Sequence, residues 1–233
     1  MIGLIGAMAV EIDRLLADMT ERTDRRIGLD VFSTGKLYGQ ETVVAACGPG
    51  KVNAALCAQS MILHYHPDWI LNLGVAGAGD EGVGIGDMVI ATAAVQHDMD
   101  TSPIGDPVGY VSKVGLVEFP CDPDLRRRLV EAASSLPGVK VVEGIVATGD
   151  VFVNRAEVTR RIHTLFGAKA VEMEGAAVAH ACFVHHVPCG ILRSISDGAN
   201  SDSDMDYPTF TNLAADHAQY VVEALLVGEN DEE

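Results

Sequence analysis

Residues 68–74 read DWILNLG, a continuous apolar segment that predicts a strand buried on both faces. The segment runs directly into a glycine-rich stretch, residues 74–86, where the backbone can approach a ligand closely. Short apolar segments at residues 2–6 and 189–196 also end in glycine or polar residues. Helical patterns separate these segments, so the sequence predicts an α/β fold with a mainly parallel sheet.

The other segments continue this alternation. Residues 31–47 predict a hairpin around the turn-like Tyr38-Gly39-Gln40, which requires a mixed sheet. We predict a single domain over residues 1–228 and a disordered acidic tail over residues 229–233. Further strands are predicted over residues 88–95, 139–148 and 170–172. Helices are predicted over residues 10–19, 51–64, 122–135, 154–166, 175–186 and 207–226.

The composition excludes several classes of protein. Of 233 residues, 48% are hydrophobic and 21% are charged, an ordinary balance for a globular chain. Lys and Arg number 16 against 33 Asp and Glu, which gives a net charge of -17. Such a field repels nucleic-acid phosphates and anionic lipid, so we expect neither as a partner. No apolar run approaches the roughly 18 residues of a membrane span, and the first residues lack the cationic start of a signal peptide.

The cysteines indicate a reducing compartment. Their number is odd, none forms a CxxC pair, and most lie in apolar runs: Cys47, Cys57, Cys121, Cys182 and Cys189. We therefore predict buried, reduced thiols in a cytoplasmic protein. A zinc cluster would need paired spacing that the sequence lacks, so we expect no metal site.

Three motif-like stretches depart from the motifs that they suggest. Residues 48–51, GPGK, lack the first glycine and the final Ser or Thr of a phosphate-binding loop. Residues 202–206 begin like a calcium loop, but Tyr207 and Leu213 replace the required glycine and glutamate. We expect a solvated loop there, and a hydrogen-bonded turn at residues 97–100, HDMD.

Three acidic residues lie shortly after predicted strands that are far apart in the sequence. Glu11 follows the first strand, Glu174 follows residues 170–172, and Asp197 follows residues 189–196. In open α/β sheets, ligands bind beyond the carboxyl ends of the strands. We therefore expect the three carboxylates to converge on one edge of the sheet and to form a functional site.

Collinear motifs across nearly the whole chain resemble bacterial 5'-methylthioadenosine/S-adenosylhomocysteine nucleosidases. They are GAMAVEID (6–13), GPGKVNAA (48–55), GVAGAG (74–79), GDMVIA (86–91), TGDVFVN (148–154), VEMEGAAVAH (171–180) and LRSISDGA (192–199). The resemblance implies a three-layer α/β/α sandwich with a mixed central sheet and the phosphorylase/hydrolase-like fold. It also implies a homodimer that hydrolyses the N-glycosidic bond of adenine nucleosides carrying a 5'-thio substituent, without a cofactor.

The resemblance also implies roles for single residues. Asp197 matches the general acid that protonates adenine, Glu11 the base that activates water, and Arg193 the residue that assists Glu11 and the water. Glu174 matches the acceptor for ribose hydroxyls, and Phe152 the side chain that stacks on adenine. The remaining residues implied in substrate binding are Met8, Pro49, Val75, Ala76, Gly77, Val153, Met173, Ser196, Tyr207, and Ile104 and Pro107 of the partner subunit.

Departures from the family pattern leave alternatives open. Val75 stands where many members have Ser; together with residues 95–109 it is similar to members that also hydrolyse 6-amino-6-deoxyfutalosine in menaquinone synthesis. The role of Glu172 stays open, with capping of the next helix as one possibility. A phosphorylase is one alternative function, but Glu11 would repel phosphate. A non-catalytic nucleoside-binding protein is the other, although Glu11 and Asp197 are both present.

Overall fold

Strand β5 (Trp69–Ala78) lies at the centre of a ten-stranded mixed sheet. The computed structural model describes residues 1–198 and 207–230, with side chains for residues 1–198 and 212–228. The first six residues of β5 are buried, because helices cover the sheet on both sides, and this explains the continuous apolar run.

The sheet and its helices have the following bounds. The other strands are β1 (Ile2–Gly6), β2 (Thr20–Ile27), β3 (Asp30–Leu37), β4 (Gln40–Ala46), β6 (Met88–Gln96), β7 (Glu118–Pro120), β8 (Val141–Thr148), β9 (Ala168–Glu172) and β10 (Cys189–Asp197). The α-helices are α1 (Ala9–Asp18), α2 (Lys51–Tyr65), α3 (Pro123–Ser134), α4 (Ala156–Phe166), α5 (Gly175–His185) and α6 (Tyr207–Asn230). A single turn of 3-10 helix covers Ser102–Ile104.

Helices pack on both faces of the sheet and create separate apolar cores. Helices α2 and α5 pack together over one core, which includes Ile5 and Ile70. Helices α1, α3 and α6 cover the second core, which includes the neighbouring strand residues Leu4 and Leu71. Successive side chains of a strand point to opposite faces, so each strand feeds both cores. The predicted three-layer α/β/α arrangement is confirmed.

Half of the sheet closes on itself, which the sequence did not predict. The strand order β10-β6-β8-β9-β5 ends at β5, and β5 also pairs with β10, so these five strands form a ring. Strands β6, β8 and β9 run parallel to one another and antiparallel to β5 and β10. Three of the five pairings in this ring are parallel and two are antiparallel, so the predicted mixed sheet is confirmed.

Strand β5 changes its neighbour on one side, and this change creates space for a site. Its first residues pair with β1, ending at the Ile5–Asn72 pair. Its last residues pair with β9, beginning at the Gly77–Val171 pair. Neither of these registers includes residues 73–76, so the sheet is open at this point. Such switch points are where α/β folds bind ligands.

The structure corrects some predicted bounds and adds elements. The hairpin is confirmed, with Tyr38 and Gly39 at positive φ in its two-residue turn. Strands β2 and β7 were not predicted. Helix α6 extends through Asn230, two residues into the predicted disordered tail; residues 231–233 and the predicted loop at 202–206 lie outside the described residues. The five cysteines are buried and free, as predicted. Within the described residues, no helix is long and apolar enough to cross a membrane.

Candidate active site

The three predicted carboxylates surround one cavity of about 210 Å³ at the point where β5 changes neighbours. The expectation that Glu11, Glu174 and Asp197 converge is therefore confirmed. Most of the other predicted binding residues line the same cavity: Met8, Pro49, Val75, Ala76, Gly77, Phe152, Val153, Met173 and Ser196. The cavity thus combines acidic groups with apolar walls, as a site for an uncharged or cationic small molecule requires.

Glu11 is held by backbone N–H groups. It lies in the first turn of α1, and only 3% of its surface is exposed. The Glu11 Oε2 atom accepts hydrogen bonds from the N–H groups of Ala7 (2.7 Å) and Met8 (2.9 Å), and Oε1 accepts one from Val75 (3.1 Å). A Cβ atom on Gly74 would lie 2.6 Å from Glu11 Oε1, so glycine is needed there for the close approach.

Asp197 ends β10 and faces Gly77 of β5. A Cβ atom on Gly77 would lie 2.8 Å from Asp197 Oδ2, so this carboxyl also depends on a glycine beside it. The Ser196 hydroxyl donates to Asp197 Oδ1 at 2.8 Å and so orients this carboxyl. Burial raises the pKa of Asp197 and outweighs the opposing effect of the Ser196 bond. A carboxyl group in this environment can hold a proton for donation.

Glu174 lies at the start of α5, where its Oε1 atom accepts a hydrogen bond from the Gly50 N–H at 2.7 Å. Burial and the nearby charge of Glu172 raise the pKa of Glu174 to about 7, against the lowering effects of Gly50 and Arg193. This carboxylate is therefore close to its titration point at neutral pH. An ionised carboxylate is a strong acceptor for hydroxyl groups.

Arg193 does not line the cavity, and no hydrogen bond joins it to Glu11 in the described structure. It is 1% exposed, and its five N–H groups all donate within the protein. The acceptors are the Glu172 carboxylate, the Asn72 side chain and carbonyl, and the Leu192 carbonyl. The role that the resemblance implies for Arg193, assisting Glu11 and the water, therefore stays a prediction, while the guanidinium itself donates to Glu172 and Asn72.

The loop that carries Phe152 is tied to the start of α2. The Lys51 N–H donates to Asp150 Oδ1 and the Asp150 N–H donates to Asp98 Oδ2, both at 2.8 Å. The Lys51 ammonium also pairs with Asp98 at 2.6 Å. The Met99 N–H donates to the Gln96 carbonyl at 3.2 Å, so residues 97–100 include a hydrogen-bonded turn, as predicted. Phe152 itself is 58% exposed and presents its ring at the cavity, where a flat ligand can stack on it.

Two of the predicted binding residues lie elsewhere in this chain. Ile104 and Pro107 are exposed and do not line the cavity of their own chain. The side chain of Tyr207 lies outside the described residues. Conversely, sequence reasoning missed four residues that line the cavity: Ala7, Val151, Val171 and Glu172. Only Glu172 offered a signal, because an acid in an apolar strand segment needs a buried partner.

Fold and site together define a class of protein. The family model of the phosphorylase superfamily matches residues 1–227, which include every cavity-lining residue. A cavity with an acid that can keep its proton and an anchored carboxylate suits N-glycosidic bond cleavage.

Individual relatives of the chain indicate its family within the phosphorylase superfamily. A 5'-methylthioadenosine/S-adenosylhomocysteine nucleosidase of Shewanella loihica is 37% identical over 97% of this chain and 98% of its own length. The nucleosidase of Neisseria meningitidis, solved in complex with methylthio-immucillin-A, superposes with a TM-score of 0.92 at 33% identity, covering 97% of this chain and 98% of that one. A futalosine hydrolase of Helicobacter pylori gives a TM-score of 0.91 at 33% identity, covering 100% of this chain and 97% of that one.

The chain belongs to the 5'-methylthioadenosine/S-adenosylhomocysteine nucleosidase family, whose members are hydrolases of N-glycosidic bonds. The relatives support nucleoside hydrolysis rather than phosphorolysis.

Proposed function

We propose that the protein hydrolyses 5'-methylthioadenosine and S-adenosylhomocysteine and releases adenine. One observation carries the proposal: a half-buried carboxyl with a raised pKa, Asp197, shares a cavity with the backbone-anchored carboxylate of Glu11. The names of the relatives supply the substrate class. We add 5'-deoxyadenosine, an adenine nucleoside without the 5' sulfur, as a further substrate of the same reaction.

Asp197 supplies the proton that the leaving group needs. Cleavage of the glycosidic bond leaves electrons on the purine, which departs more easily once a ring nitrogen is protonated. The raised pKa of Asp197 keeps part of the population protonated at higher pH than an ordinary aspartate. Phe152 offers its exposed ring as a stacking surface for the purine, and the Val153 backbone lies beside it.

Glu11 activates water on the opposite side of the sugar. Gly74 and Gly77, the points of β5 that Glu11 and Asp197 approach, are three residues apart, or about 10 Å along an extended strand. This separation leaves room for a ribose ring between base and acid. Three backbone N–H groups fix the Glu11 carboxylate, so it can accept a proton from water without moving.

Glu174 accepts the ribose hydroxyls. A hydrogen bond to an ionised carboxylate strengthens as positive charge develops on the sugar, so this contact favours the transition state. The side chains of Met8 and Pro49 line the same cavity and would surround the 5' substituent.

The direct test is turnover without phosphate. The purified protein is incubated with 5'-methylthioadenosine in phosphate-free buffer, and adenine is measured by liquid chromatography. We expect adenine and free methylthioribose in equal amounts, with no increase in rate when phosphate is added. Absence of adenine in both buffers would contradict the proposed function.

Binding of the nucleoside is expected to depend on the protonation of Glu174. Its pKa is raised to about 7, so below that pH a substrate hydroxyl must displace a proton from the carboxyl. We expect Kd to rise by up to about tenfold for each pH unit below 7 and to level off above it. Calorimetry with the uncleaved substrate and Asp197→Asn, from about pH 5.5 to about pH 8.5, measures this. The same titration with Glu174→Gln added should be flat; a flat profile with Glu174 intact would refute the assignment.

A structural relative and the cavity residue Val75 favour a second substrate. The futalosine hydrolase of H. pylori shares the fold at 33% identity, and Val75 donates only its backbone N–H, to Glu11. We therefore include 6-amino-6-deoxyfutalosine as a substrate, which would place the enzyme in menaquinone synthesis. Incubation with this compound should release adenine; a chain active on methylthioadenosine but silent here would exclude the second activity.

A homodimer that completes the cavity belongs to the same proposal. On α2, Val52, Leu56 and Leu63 are 69%, 60% and 53% exposed and share one helix face. Ile104 is 82% exposed, so it is free to reach the site of a partner subunit. Exposed apolar faces of this kind mark subunit interfaces.

The unpaired buried cysteines support a cytoplasmic location.

The dimer is tested by placing a charge on this face. Leu56→Glu should give a monomer in sedimentation and lower kcat/KM, because the cavity loses the residues of its partner. Leu29→Glu is the matched control, since Leu29 is 91% exposed in the β2–β3 turn. A monomeric wild type, or a monomeric variant with full activity, would contradict the proposal.

A further inference from the structure

Glu174 immediately precedes α5, but its carboxylate accepts a hydrogen bond from the Gly50 N–H and not from the first N–H groups of the helix. Three backbone N–H groups at this helix start have side-chain acceptors. The N–H groups of Glu174 (3.0 Å) and Gly175 (2.8 Å) donate to Glu172 Oε2, and that of Ala176 donates to Thr148 Oγ1 (2.8 Å). Helix starts leave such donors unpaired unless side chains satisfy them. Glu172 and Thr148 therefore perform the capping of α5 from outside the helix.

These two acceptors are themselves fixed. Thr148 donates its hydroxyl proton to Glu172 Oε1 in a short contact, so the two side chains lock one another. Arg193 holds Glu172 Oε2 through Nη2 at 2.6 Å and Nε at 3.2 Å, and all three side chains are buried. The Asn72 carbonyl and side-chain oxygen accept further hydrogen bonds from the Arg193 guanidinium. The Asn72 amide in turn donates to the Ile5 carbonyl at 2.9 Å.

The network joins the strands around the switch in β5. Thr148, Glu172 and Arg193 belong to β8, β9 and β10, and Asn72 belongs to β5. At one end of the network the Asn72 amide donates to the Ile5 carbonyl, and at the other end the Ala176 N–H of α5 donates to Thr148. A buried network that is satisfied in this way is rigid, and losing one member leaves polar atoms without partners.

We propose that Glu172 and Thr148, held by Arg193, are positioning residues that set the place of Glu174 against the ribose by fixing the start of α5. The proposal rests on the proposed function for the role of Glu174. It assigns Arg193 a place in this network, since its five N–H groups are already committed.

Thr148→Val tests the network with little change in shape, because it replaces only the hydroxyl by a methyl group. We expect kcat/KM for methylthioadenosine to fall about tenfold, mainly through KM, with recovery in Thr148→Ser. The matched control is Thr42→Val, a fully buried threonine on β4 whose hydroxyl bonds the Gln40 carbonyl. Thr42→Val should retain the activity of the wild type.

A double-mutant cycle separates positioning from general destabilisation. If Thr148 acts through Glu174, Thr148→Val should have almost no further effect on kcat/KM in a Glu174→Ala background. An equal loss in both backgrounds would overturn the proposal, and so would full activity of Thr148→Val.

Amide hydrogen exchange tests the same proposal without catalysis. Thr148→Val should speed exchange at Gly175 and Ala176 at least tenfold while leaving the centre of α2 unchanged, and Thr42→Val should leave α5 unchanged. Unchanged exchange at α5 would overturn the positioning role even in an active enzyme. A wild type that releases no adenine would instead overturn the proposed function, and the exchange data would still decide whether this network fixes α5.

Discussion

Asp197→Asn is expected to lower kcat for adenine release by about 10⁴-fold, the upper end of the range for a proton-transfer group. The amide has nearly the shape of the carboxyl and keeps an acceptor for the Ser196 hydroxyl, but it cannot protonate the purine. Single-turnover measurements with methylthioadenosine give the rate of bond cleavage. Substrate should still bind, because Glu174 and Phe152 are unchanged.

The control for this variant is Asp122→Asn. Asp122 caps α3 by accepting hydrogen bonds from the N–H groups of Asp124 and Leu125, and asparagine caps equally well. Asp122→Asn should therefore keep both fold and activity. Near-normal turnover in Asp197→Asn would remove Asp197 from the mechanism.

Glu11→Gln is expected to lower kcat by about 10²–10⁴-fold, because glutamine cannot take a proton from water. The NH₂ group of glutamine cannot accept a hydrogen bond, so either the N–H groups of Ala7 and Met8 or that of Val75 would lose their acceptor. The side chain would therefore be held less firmly as well. Rapid-quench kinetics separate the cleavage step from product release, and calorimetry with the uncleaved nucleoside measures binding. We expect Kd to change much less than kcat.

The matched control is Glu143→Gln on β8, because Glu143 lies on the surface in a salt bridge with Arg126. That variant should behave like the wild type. If Glu11→Gln turned over as fast as Glu143→Gln, Glu11 would not be the base.

The sequence predicted the three acids of the site from their positions after strands. The prediction succeeded although its geometric premise was incomplete. Glu174 follows β9, which runs antiparallel to β5, so its strand end does not lie at a common parallel edge. The acids meet because five strands close into a ring and β5 changes neighbours. The alternation of apolar and polar residues along a strand does not show which strands pair with it.

The elements and residues that were missed lack a local signal. Strand β2 reads TERTDRRI and is almost fully exposed, so it has no alternation of apolar and polar residues. Ala7 and Val171 line the cavity, but small apolar residues occur throughout any core. The Glu172–Arg193 pair had a signal, since charged residues inside apolar strands must be paired when buried. The sequence could not show that Asn72 and Thr148 complete the network, because those contacts join distant strands.

The central claim is that water, activated by Glu11, attacks the sugar while Asp197 protonates the leaving adenine. The most direct measurement is turnover of methylthioadenosine in water enriched in heavy oxygen, followed by mass spectrometry of the sugar at the earliest times. We expect newly formed methylthioribose to carry one heavy oxygen and adenine to carry none, with the label incorporated at the rate of adenine release. Sugar product that forms only with phosphate, or that carries no label when first released, would contradict the account.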